Sequence, residues 1–92
     1  VETVRLALRE GARRERRLEA EVETRHRFDR LTTRERDVLR LVVAGRSNKE
    51  VAQRLGISPR TVENHRARIM EKTGIHSLAE LVAAARHAGF EA

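Results

Sequence analysis

The sequence predicts an all-α protein, a four-helix helix-turn-helix domain over residues 31–92 behind a long linker helix over residues 1–30. Three observations predict it. Residues 1–30 are rich in Glu, Arg and Ala and contain no Pro. From Thr33 onward, apolar residues recur at three- and four-residue spacing in segments punctuated by Ser or Thr at the start and Gly at the end. Between them lies SNKEVAQRLGISPRTVENHRARIMEK, residues 47–72, which reads as two short amphipathic helices joined by a tight turn at Gly56.

Stepping by alternating threes and fours through the first segment gives Val1, Val4, Leu8, Gly11, Glu15, Leu18, Val22, Arg25 and Asp29, a seam apolar at five of nine positions. Two readings follow: a short parallel coiled coil joining two chains through Leu8, Leu18 and Val22, or a solvated linker helix. The arginine cluster at 13–17 reads as a wet face. The chain opens at Val1 rather than at a methionine, so a piece of a longer protein is expected.

A break at residues 29–31 precedes a helix with Thr32 or Thr33 as N-cap and Glu35 in its first turn. Val38, Leu41 and Val42 form its expected inner stripe, with Leu39 on the flank, and Gly45 stops it. Ser47 or Asn48 caps the next helix, which runs to Leu55 and buries Val51, Ala52 and Leu55. Gly56 supplies a left-handed turn, and Ile57 plugs the corner. Ser58 caps the following helix with Pro59 at its first position, where a missing N–H costs nothing. At about 100° per residue, Val62 and Ile69 point inward with His65 and Arg66 on the edge, while Arg60, Glu63, Asn64, Ala67 and Glu71 point outward. After Gly74, a last helix from Ser77 to about Ala88 carries Leu78, Leu81, Val82 and Ala85 on one stripe.

Ninety-two residues allow one small domain and an appendage. Phe28 and Phe90 are the only aromatics, so an aliphatic core is expected. Absence of cysteine excludes a disulfide framework and a thiolate metal site and suits a cytoplasmic location. No apolar run approaches the roughly 20 residues of a membrane span, and no signal-peptide pattern opens the chain. The net charge is +6, of which residues 31–92 contribute +4; segment 46–72 alone carries +4, from seven Lys/Arg against three Glu. Basic charge gathered on one motif is the footprint of phosphate binding, and the second helix of such a motif enters the major groove of DNA.

Residues 31–89 resemble the C-terminal effector domain of the LuxR/FixJ/NarL family of bacterial transcription regulators. The resemblance rests on LTTRERDVLRLVVAG (31–45), SNKEVAQRLGIS (47–58), RTVENHRARIMEKTGI (60–75) and SLAELV (77–82). Residues 1–10, VETVRLALRE, resemble the end of a receiver domain's last helix, as in FixJ-type response regulators. Thr33 stands where the family usually has Pro, and Thr73 where Leu is usual. The resemblance implies base-edge contacts at Arg60, Glu63, Asn64 and Ala67, and DNA-backbone contacts at Asn48, Lys49, Ser58, Thr61, Arg66, Arg68 and Lys72. It implies a homodimer joined through Leu78, Leu81, Val82, Ala85 and Arg86 of the last helix, reinforced by the N-terminal helix. Implied partners are double-stranded DNA with a pseudo-palindromic site, a second copy, RNA polymerase, and a receiver domain with its histidine kinase. No membrane partner and no cofactor are implied.

Arg60 suits guanine O6 and N7 or a phosphate; Asn64 suits adenine N6 and N7; Glu63 suits cytosine N4 or an intrahelical arginine. Lys49 and Asn48 open a helix whose N–H groups favour a phosphate. His26, His65, His76 and His87 show no pair at helical three- or four-residue spacing, so no metal site is expected. Two aspartates, no cysteine and no glycine-rich phosphate loop argue against an enzyme. The rival functions are a coiled-coil protein-interaction module, against which the clustered charge counts, and a sigma-factor-like segment acting only with RNA polymerase.

Overall fold

The computed structural model describes residues 22–90, together with Arg16 and Glu19. The helical residues 22–29 form α1. Four helices follow: α2 (Thr33–Val43), α3 (Asn48–Leu55), α4 (Pro59–Thr73) and α5 (Leu78–His87). No strand occurs among the described residues. Leu8 and Leu18 of the expected coiled-coil seam lie outside the described residues; Val22, on α1, is 52% exposed.

Each helix start is built from its own side chains. Thr32 and Glu35 form a capping box on α2, each accepting from the other's backbone N–H, and Ser47 and Glu50 do the same on α3. Ser58 and Ser77 cap α4 and α5. Such caps satisfy first-turn amides that have no intrahelical partner, at about 1 kcal/mol each. Gly56, at φ 66° and ψ 36°, makes the left-handed turn between α3 and α4, a conformation costing an L side chain roughly 1–2 kcal/mol.

α4 packs against both α2 and α3, and α5 against α2. The core comprises Val38, Leu39, Val42 and Val43 of α2, Val51 and Ala52 of α3, Val62 and Ile69 of α4, and Leu81 and Ala85 of α5. The inner face of α2 is therefore turned from the expected one. Leu39 is fully buried and Leu41 only half-buried, because the stripe runs 35, 38, 39, 42 and 43, broad enough to meet helices on both sides. Leu55 is likewise half-buried rather than in the core.

The core is not purely aliphatic. Phe28 (2% exposed) and Phe90 (7% exposed) close one end of it with ring centroids 5.7 Å apart and planes tilted by 45°. The two aromatics come from α1 and from the segment after α5, and each covers the area of several small side chains. Packing thus reaches back past residue 31 into α1.

The expected dimer stripe on α5 splits. Leu81 (1% exposed) and Ala85 (0%) are consumed by the protein's own core and offer nothing to a second copy. Leu78 is 47% exposed, Val82 half-buried and Arg86 exposed. A helix on a small domain cannot spend one stripe twice.

Candidate nucleic-acid interface

α3, the Gly56 turn and α4 present a continuous polar surface. On α4, Arg60, Glu63, Asn64, Ala67 and Arg68 are all exposed, while Val62 and Ile69 on the opposite side are buried. Among the described residues, the side chains of Arg60, Glu63, Asn64 and Arg68 have no hydrogen-bond or ion-pair partner in the protein, and neither does that of Lys49 on α3. Glu63 is thus not occupied by an intrahelical arginine. Small Ala67 between polar neighbours lets the backbone come close to a ligand, and the free arginines and amide can pair with base edges or phosphates.

The start of α4 differs from the other helix starts in its charge. α2, α3 and α5 each carry a glutamate in the first turn, but α4 carries none. Its positive dipole end is left uncompensated, with Arg60 adding a cation there. The Ser58 hydroxyl accepts from the Thr61 amide at 3.1 Å, and the two hydroxyls lie 2.8 Å apart. One bond between two hydroxyls uses one of their two protons, so the other remains free to donate to a phosphate.

Asn48 and Arg66 are brought together. The Arg66 guanidinium donates to Asn48 Oδ1, tying the start of α3 to the middle of α4. Both keep further donors, so two expected backbone contacts meet where α3 and α4 are tied, with Lys49 next in sequence to Asn48. Behind them, the Ser47 backbone N–H, with Arg46 and the Ser47 hydroxyl, holds the Glu50 carboxyl below the ordinary carboxylate value. That anion, on a half-exposed side chain, is taken up by Arg46 and the capping box.

Lys72 departs from expectation. Its ammonium donates to both carboxylate oxygens of Glu35, to Oε2 at 3.0 Å, so it is committed to an internal ion pair rather than free for a DNA backbone. Glu35 is 1% exposed, and burial alone would raise its pKa. Hydrogen bonds from Lys72 and the Thr32 backbone, with the Lys72 charge, outweigh that and hold it below the ordinary value. Sequence reading saw Glu35 as a first-turn acid but not its partner 37 residues away; the Thr-x-x-Glu pattern marks the cap and is silent on the lysine.

At the C-terminal end of α4, Thr73 is buried in place of the usual Leu. Thr73 is 1% exposed, and its hydroxyl donates to the Ile69 carbonyl at 2.7 Å. His65, on the edge of the buried face, has Nδ1 covered and without a hydrogen-bond partner.

Two helices at a left-handed glycine turn, the second lying on its own core with an exposed, unpartnered polar face, define a helix-turn-helix. The model for the luxR family of bacterial regulatory proteins (GerE) matches residues 29–85. The chain belongs to this family. It is similar to the transcriptional regulatory protein FixJ of Azorhizobium caulinodans, 45% identical over 89 residues that cover 97% of this chain and 42% of that protein. Similarity to the transcriptional regulatory protein MctR of Rhizobium johnstonii reaches 56% over 54 residues, covering 59% of this chain and 25% of that one. Among solved structures, the response regulator StyR aligns with TM-score 0.76 at 40% identity, over 82% of this chain and 38% of that one. Full-length FixJ from B. japonicum aligns with TM-score 0.67 at 43% identity, over 75% and 34%. The chain therefore spans less than half the length of these relatives. No helix among the described residues is long and apolar enough to cross a membrane.

Proposed function

We propose that this chain binds double-stranded DNA sequence-specifically as a homodimer, and serves in the cytoplasm as the output module of a response regulator controlling transcription. The observation that carries it is the unpartnered set Arg60, Glu63, Asn64 and Ala67 on the exposed face of α4, flanked by the free cations Lys49 and Arg68. In this reading α4 lies in the major groove. Arg60, Glu63 and Asn64 read base edges, Ala67 permits close approach, and Asn48, Lys49, Ser58, Thr61, Arg66 and Arg68 hold phosphates. Leu78, Val82 and Arg86 are the part of α5 left for a second copy. Two recognition helices then meet half-sites about one helical turn apart. A receiver domain, phosphorylated by its histidine kinase, would control that pairing, and RNA polymerase would be the partner at the promoter.

The test is selection of random duplexes by the 92-residue chain at near-physiological salt. Enrichment of a two-fold symmetric site is expected. Weak, salt-sensitive binding with no enrichment would remove sequence-specific dimeric recognition from this chain.

A further inference from the structure

The recognition helix is gripped at its far end by a residue outside the family-matched segment. Thr73 is the last residue of α4, where terminal carbonyls lack intrahelical donors and gather the negative end of the helix dipole. The Met70 carbonyl accepts from Gly74 N at 2.8 Å. The carbonyl of Thr73 itself accepts from Arg27 Nη1 at 3.3 Å, across 46 residues of sequence. Arg27 lies close over the cap: a Cβ on Gly74 would stand 3.4 Å from the same nitrogen.

Arg27 is held from its other side as well. Glu23, one turn back on α1, pairs with its Nη2 at 2.8 Å. The next residue, Phe28, is buried against Phe90. α1 is thereby joined at one point to the end of α4 and at the adjacent point to the end of the chain beyond α5.

We propose that Arg27 is a positioning residue for DNA recognition, coupling the placement of α1 to the pose of α4 through the Thr73 carbonyl. The inference rests on the DNA-binding reading above. Arg60 lies 13 residues from Thr73 along α4, about 20 Å at the helical rise. A tilt of about 3° at the Thr73 end moves Arg60 by about 1 Å, enough to misalign a bidentate base contact. Phosphate contacts, made by long flexible cations, tolerate such a shift. Displacement of α1 therefore weakens base discrimination before it weakens general affinity.

The test compares wild type, Arg27→Ala and Arg27→Lys on a duplex selected by the wild-type chain and on a shuffled duplex, well below every melting temperature. Arg27→Ala is expected to lower the ratio of specific to non-specific affinity by about two- to fivefold, a size set by one cation at a helix C-terminus. The salt slope should not change. Arg27→Lys, which keeps a cation and a donor, should restore most of the ratio, and amide resonances of α4 should shift in Arg27→Ala without DNA. An unchanged ratio, or a salt slope lower by about one as for a phosphate contact, overturns the proposal. Should Arg27→Ala fail to fold, Arg27→Gln runs the same comparison. A wild-type chain without sequence preference would overturn the DNA reading along with this one. Preference in wild type with no effect at Arg27 overturns the coupling alone.

Discussion

Removing Lys72 should cost far more stability than neutralising its partner Glu35. The Glu35 side chain is 1% exposed and that of Lys72 33% exposed. In Lys72→Met the carboxylate keeps only what Thr32 offers, its amide at 3.3 Å and its hydroxyl, and is otherwise a buried anion. Breaking a buried pair from one side costs about 3–5 kcal/mol; water entering where Lys72 was partly exposed brings this to about 2–3 kcal/mol. In a domain of this size that lowers Tm by about 10–20 °C. In Glu35→Gln the capping box survives, because Gln serves at the same position, and Lys72 turns into solvent, for about 1 kcal/mol. The double variant should recover much of the Lys72→Met loss, since no buried charge remains. Urea titrations followed by far-UV circular dichroism at pH 7 read all three. Equal losses in the two single variants, or strictly additive losses in the double, would refute the buried-anion argument.

Lys49→Ala should weaken binding to all duplexes alike and lower the slope of log affinity against log salt by about one, measured by fluorescence anisotropy; an unchanged slope would put Lys49 outside the interface. Phe90→Ala should destabilise by about 3 kcal/mol, because it opens the end of the core and strands Phe28; a loss below about 1 kcal/mol by urea titration would show the pair to be marginal. Glu35 and Glu50 have folded pKa values below the ordinary 4.5. The unfolded chain therefore takes up protons first on acidification, so their contribution is complete above that value and is lost as pH falls through the folded ones. The urea midpoint should hold from neutral to about pH 5 and fall below it, and a midpoint that rises on acidification would contradict this.

Local rules made much of this chain legible. Ser58-Pro59, Gly56 and Ser47 announce their caps and turn because each acts on amides within three residues of itself. The outward face of α4 followed from helical geometry alone, and its members are exposed. What stayed hidden depends on residues distant in sequence. Lys72 has the composition of a phosphate contact, and only the packing of α2 on α4 reveals the carboxylate that holds it. Phe28 and Phe90 come from α1 and from beyond α5, and no periodicity joins them. Leu81 and Ala85 share a stripe with Leu78 and Val82, yet which half of a stripe is spent inside is decided by where α2 lies.

In the proposed reading, the exposed face of α4 and the start of α3 form the DNA surface. Titrating a selected duplex into isotope-labelled chain and mapping amide and side-chain shifts tests it most directly. The largest changes are expected at Asn48, Lys49, Arg60, Glu63, Asn64, Ala67 and Arg68, with the Glu35–Lys72 pair undisturbed. Shifts concentrated instead on α2 or on the exposed side of α5, with Arg60 and Asn64 silent, would contradict it.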